Sequence, residues 1–179
     1  IRHVGIVNEK CDPRPFMEAL RQLALEHDEF GSLVQVDFVG DVHRQFKAFV
    51  LASPAISTFT TFTSPVPHKE LISTYGSSSL LLIILTGYKD AEGYMPGKLF
   101  EYIATGLPII GTGPEDGDAS ALLKEVGVGE MIGDKEVGRI KTKVLFHFDA
   151  WRNGTAGNSV KAGVKYSRKE ITRALTELL

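Results

Sequence analysis

The chain has 179 residues, a formal net charge of −2, 43% apolar and 23% charged residues, and one cysteine. A chain of this length buries roughly 70% of its unfolded surface, enough for one domain with one core, and its composition excludes the disordered and fibrous classes. The near-neutral charge without a Lys/Arg block argues against nucleic acid as a partner. The lone Cys11 excludes an internal disulfide and a cysteine zinc site and fits a reducing compartment, and the longest apolar run, Leu80 to Leu85, is far below the ~20 residues of a membrane-spanning helix.

His3 to Val7 is a short apolar strand candidate, followed by the polar residues Asn8 to Asp12. Phe16, Leu20, Leu23 and Ala24 then recur at helical spacing, predicting a helix over Pro13 to Phe30. Leu33 to Val39 reads as a second strand, Asp41 as the cap of a helix running to Leu51, and Ile56 to Phe62 as a third strand rich in Thr and Phe. Pro67 opens a helix from His68 to about Gly76, and Leu80 to Leu85 is the fourth strand. Asp118 starts a helix that Gly127 ends, Glu130 to Ile132 is a sixth strand, and Asp134 caps a further helix. Ala150 to Gly163 is polar and aperiodic, and Ser167 starts a C-terminal helix with Ile171, Ala174, Leu175 and Leu178 on one side.

Between the fourth and sixth strands lies the stretch Gly87 to Gly111. Its first residues are too polar and too rich in Gly to prolong the fourth strand, Pro96 fits a first helical turn, and Leu99, Phe100, Ile103 and Ala104 form an apolar stripe. Gly106 ends the helix and Leu107 to Ile110 is a fifth buried strand. Strands separated by single helices predict an α/β fold, a doubly wound six-stranded parallel sheet whose ligands lie beyond the carboxyl ends of the strands. The candidate loops are Asn8 to Asp12, Thr63 to Val66, Gly87 to Met95 and Gly111 to Gly117.

Lys98 and Glu101 share a face on the first turns of the helix after Pro96. By spacing alone such a pair is most often a surface ion pair. Yet a Lys at the positive end of a helix opposes the dipole, and an anion such as a phosphate, held also by the free N–H groups, would resolve that mismatch. The sequence Glu115-Asp116-Gly117-Asp118 could hold a hard cation, but Gly117 as a turn with Asp118 as a helix cap is the simpler reading, so no metal site is assigned. There is no G-x-G-x-x-G after the first strand and no P-loop, which disfavours nicotinamide and ATPase readings.

The string PGKLFEYIATGLPIIG, residues 96–111, resembles a segment of the C-terminal, nucleotide-sugar-binding domain of GT-B-fold glycosyltransferases, chiefly those similar to family 4. The strings HVGIVNE, VPHKELISTYGSSSLLLIIL and YSRKEITRALTELL occur in the order found in that domain. The resemblance implies a Rossmann-like fold forming the C-terminal half of a GT-B architecture, with the N-terminal acceptor domain outside these residues. It implies transfer of a sugar, hexosyl in type, from a nucleoside-diphosphate sugar to a saccharide or lipid-linked saccharide, as in polysaccharide biosynthesis. No other cofactor and no metal is implied, the full-length protein is expected in the cytoplasm or at the inner face of the membrane, and the domain alone is expected to be inactive.

Carried over residue by residue, the resemblance places the ribose hydroxyls on Glu101 and the diphosphate near Gly97 and Lys98. The base falls between the first-strand loop, around Gly5 and Asn8, and the loop from Thr63 to Pro67 with the adjoining His68. Family 4 members often carry a first Glu near the transferred sugar, eight positions before the ribose Glu, and that position is Gly93 here, with Glu92 one residue away. This departure places the chain nearer to members with a Pro-Gly-Lys start and leaves the catalytic residues unassigned. Two other readings of the fold stay open: a nucleotide-sugar epimerase, and a nucleotide-sensing or scaffold domain without chemistry.

Overall fold

A computed structural model of the chain describes residues 1–85, 91–157, 164–166, 170, 172, 173 and 176, with the side chains of residues 68, 69, 72, 73 and 164 outside that description. Six parallel strands, β1 (Arg2–Val4), β2 (Val36–Val39), β3 (Thr60–Thr63), β4 (Leu81–Ile84), β5 (Ile109–Thr112) and β6 (Gly129–Ile132), lie in the order β3-β2-β1-β4-β5-β6. The expected doubly wound, Rossmann-like sheet is therefore present. Strand order reverses between β1 and β4, and sheets of this kind bind ligands beyond the carboxyl ends of the strands at such a reversal.

Every residue of β4 and β5 is buried, as expected for central strands covered on both faces. Side-chain alternation sorts them. Leu82 and Ile84 pack with α1 (Arg14–Glu26) and α8 (Val137–Arg152) through Phe16, Leu20, Leu23, Ile140, Val144 and Phe148. Leu81, Ile83 and Ile109 pack on the other face with α6 (Gly97–Thr105) and α7 (Asp118–Val126), through Leu99, Tyr102, Ile103, Leu122 and Leu123. Each such aliphatic or aromatic side chain contributes roughly 1.5–3 kcal/mol on full burial, so the two layers fix the sheet between them.

Several boundaries differ from the expectations. The helix expected over Pro13 to Phe30 ends at Glu26, because His27 turns to an extended conformation, and the separate turn α2 (Phe30–Leu33) follows. Leu33 thus belongs to α2 and not to the second strand. Asp41 does not cap α3 (Arg44–Leu51), whose preceding residue is His43. Pro54, pre-set for a first helical turn, opens α4 (Pro54–Ser57), so Ile56 is a buried helical residue and β3 begins only at Thr60.

On α6 the buried face is Leu99, Tyr102 and Ile103, whereas Ala104 is exposed. Gly117 precedes α7 and Asp118 is its first helical residue, with no side-chain cap. Asp134 likewise yields to Glu136 at the start of α8, and that helix continues through Ala150 to Arg152, where an irregular link was expected. The C-terminal helix from Ser167, with Ile171, Ala174, Leu175 and Leu178, lies almost wholly outside the described residues.

Candidate functional site

The site is built where α6 meets the end of β1. Pro96 is extended (φ −70°, ψ 140°) and its carbonyl accepts the Leu99 N–H at 2.9 Å, starting the helix. Gly106, left-handed at φ 68°, ends it. The length of α6 is thus set by the Pro and Gly readable in the sequence. It puts Lys98 in the first turn, against the carboxyl end of β1.

The Lys98 ammonium donates to the Val4 carbonyl at 3.0 Å. Removal from water pushes its pKa down to about 8, with Cys11 acting in the opposite sense. Among the described residues no carboxylate pairs with Lys98, so the surface ion pair with Glu101 suggested by spacing does not form. Gly5 lies against the same amine: a Cβ there would fall 2.8 Å from Lys98 Nζ, and φ of +130° excludes most other residues. Gly97, by contrast, is exposed, and a Cβ on it would meet nothing within 4 Å, so the helix start is open on that side. A half-buried cation, the first N–H groups of α6 and open space beside Gly97 together form an arrangement suited to an anion.

Glu101, one turn on, is partly buried and accepts the Tyr75 phenol at 3.0 Å. Tyr75 belongs to α5 (His68–Tyr75), is 2% exposed, and has its phenol pKa pushed up by burial and by the Glu101 carboxylate. Its ring meets Tyr102 edge-on at 5.5 Å, and the Tyr102 hydroxyl accepts the Val4 N–H at 2.9 Å. Neither tyrosine was singled out from sequence, although Leu99, Tyr102 and Ile103 follow the i, i+3, i+4 pattern of a buried helical face.

Asn8 and Thr63 meet elsewhere, in a hollow of about 390 Å³ over the carboxyl ends of β1, β2 and β3. Asp41, His43, Lys47 and Phe62 also line it, and none of the four was among the site residues expected from the sequence. The Asn8 side-chain oxygen accepts the N–H groups of Lys10 and Cys11, each at 2.9 Å, holding the loop after β1 in shape. Gly40, which lines the hollow, packs against Gly5 beside Lys98: a Cβ on it would lie 2.3 Å from the Gly5 carbonyl oxygen. Pro67 is exposed and precedes α5 without lining the hollow, and the His68 side chain lies outside the described residues.

The acidic loop does not gather a cation site. Glu115 accepts the Gly133 N–H at 2.9 Å and pairs with Arg139 at 2.7 Å, tying the β5–α7 loop to the start of α8. Among the described residues no group of three or more His, Cys, Asp or Glu is placed to hold a metal. Glu92 is an exposed residue of a single 3-10 turn, Ala91–Gly93, whose backbone packs on Gly117 so closely that a Cβ there would lie 2.7 Å from the Glu92 carbonyl. No helix among the described residues is long and apolar enough to cross a membrane.

The all-parallel sheet and the reversal of its strand order define a doubly wound, Rossmann-like α/β fold, the form found in the C-terminal-like half of GT-B glycosyltransferases. No family model matches the sequence, and no curated protein matches it either. Among solved structures, the GtfA/B complex superposes with a TM-score of 0.70 at 14% identity, over 99% of this chain and 35% of that one. The pneumococcal O-GlcNAc transferase GtfA in complex with UDP and GlcNAc gives 0.67 at 15% identity, over 99% of this chain and 34% of that one. Sucrose-phosphate synthase from Thermosynechococcus elongatus gives 0.66 at 15%, over 99% and 44%. At these identities the likeness is one of fold, and the chain spans about a third of the length of the first structures it matches.

Proposed function

We propose that the chain is the donor-binding domain of a glycosyltransferase that moves a sugar from a nucleoside-diphosphate sugar to an acceptor held by the rest of a two-domain protein. The observation that carries this reading is Lys98: a half-buried ammonium at a helix start, beside the strand-order reversal, with a main-chain carbonyl as partner and no carboxylate. A diphosphate supplies the charge that this position lacks. The open side of Gly97 admits it, Glu101 accepts the ribose hydroxyls, and the base lies over Gly5 toward Asn8 and Thr63, with Pro67 and His68 at the far edge.

Chemically, the domain's share of the work is electrostatic. Negative charge builds on the departing diphosphate as the bond to the sugar breaks, and Lys98 with the α6 N–H groups stabilises it. The reading invokes no cofactor beyond the donor. A thermal-shift screen of UDP, GDP, ADP and CDP and their sugars tests it. A ligand present at 100 times its Kd adds about 2.7 kcal/mol to stability and raises the melting temperature measurably. If all of them leave the melting temperature unchanged, the assignment is wrong.

A further inference from the structure

We propose that Tyr75 is a positioning residue for the donor site, acting on the ribose through Glu101. This rests on the reading of Glu101 as the ribose acceptor and adds a residue from a different helix to that site. Glu101 is only partly buried on α6, where a carboxylate on a flexible two-carbon stem would ordinarily sample several rotamers. Tyr75 restricts that freedom. Its phenol reaches Glu101 Oε2 at 3.0 Å from a buried ring, so α5 helps to set the direction of the carboxylate.

The same tyrosine is itself held in register. Its ring stands edge-on to Tyr102 at 5.5 Å, Tyr102 takes the Val4 N–H at 2.9 Å, and the Val4 carbonyl takes Lys98 at 3.0 Å. A continuous path of contacts therefore runs from the carboxylate assigned to the ribose to the amine assigned to the diphosphate, passing through one strand residue. A packing role alone would be met by a phenylalanine at position 75. The hydroxyl adds a charge-assisted hydrogen bond to a partly buried acid, which constrains direction as well as distance.

The test is a double-mutant cycle on the 179-residue chain, using the tightest binder among UDP, GDP, ADP and CDP, its nucleoside, its 2′,3′-dideoxy analogue and inorganic pyrophosphate. Tyr75→Phe is expected to weaken the nucleoside and its diphosphate alike, by roughly two- to tenfold, the range of one net hydrogen bond. It is expected to leave the dideoxy analogue and pyrophosphate unchanged, the latter showing that the Lys98 end remains folded. In the Glu101→Gln background Tyr75→Phe should have little further effect. Full additivity of the two changes, equal weakening of pyrophosphate, or no effect of Tyr75→Phe while Glu101→Gln weakens the ribonucleotide, would each overturn the positioning role alone. Loss of any Glu101→Gln effect, or failure of all four nucleotides to bind, would overturn the ribose assignment and this proposal with it.

Discussion

Lys98 and Val4 are joined at 3.0 Å, ammonium to carbonyl, while the N–H of that same Val4 goes to Tyr102. One helix thus satisfies both polar groups of the residue that ends β1, and the chain turns away at Gly5 immediately afterwards. The grip fixes where the strand stops and where the cation stands, so the stability of this corner and the geometry of the proposed site are the same structural fact.

Glycine substitutions separate two kinds of crowding at that corner. Gly5→Ala would place its methyl 2.8 Å from the tip of a flexible lysine, whereas Gly40→Ala would place one 2.3 Å from a main-chain oxygen. Both positions also have positive φ, +130° and +136°, which adds strain of about 1–3 kcal/mol for an L side chain. Gly40→Ala is expected to destabilise more, by roughly 1–3 kcal/mol beyond that strain. Gly5→Ala is expected to displace Lys98 and weaken pyrophosphate binding. Urea denaturation of both variants checks the order, and equal midpoints would contradict it.

His3 predicts how the fold responds to acid. It is 1% exposed, its Nδ1 lies 3.0 Å from the Leu82 carbonyl, and burial together with the Lys98 charge pushes its pKa down to about 3 from 6.5. The unfolded chain therefore binds the proton more readily. The contribution is fully present above pH 6.5 and is lost as pH falls toward 3, at up to ~1.4 kcal/mol per pH unit. Denaturation of the native chain and of His3→Gln across that range should show the shallower slope in the variant; parallel slopes would mean that His3 titrates normally.

Lys98 titrates in the opposite part of the scale. Its folded pKa of about 8 lies below the ordinary 10.5, so the unfolded chain holds more protons between these values and stability rises with pH across that window. A diphosphate beside the amine favours its charged form and raises its pKa again. Binding near pH 8 is then accompanied by proton uptake, and affinity falls as pH rises further. Calorimetry in two buffers of different ionisation enthalpy measures the uptake, which should vanish in Lys98→Ala.

The sheet was readable because its central strands are uninterrupted apolar runs and its helices are punctuated by Pro and Gly. Leu80 to Leu85 and the Pro96 to Gly106 helix fell within a residue or two of their observed limits. Boundaries failed where a polar residue offered a cap that the backbone did not use, as at Asp41 and Asp134, and where Pro54 started a helical turn inside a β-rich composition. Lys98 could be picked out because a cation at a helix start is a local oddity, and Glu101 because residues 96–111 resemble a segment of a known family. Tyr75 could not, since its significance depends on α5 and α6 lying side by side, which no spacing within one segment records. The same holds for Asp41, His43 and Lys47, brought to Asn8 and Thr63 only by the parallel register of β1, β2 and β3.

The most direct test compares Lys98→Ala and Glu101→Gln by calorimetric titration with a nucleoside and with its diphosphate. Glu101→Gln keeps the side-chain size but replaces an anionic acceptor with a neutral one, and should weaken both ligands by about 1.5–3 kcal/mol. Lys98→Ala should weaken the diphosphate by a similar amount, less so at high salt, and leave the bare nucleoside nearly untouched. Affinities for both ligands equal to those of the native chain in both variants would contradict the account, and would reduce Lys98 to a structural clamp on Val4 and Glu101 to a partner of Tyr75.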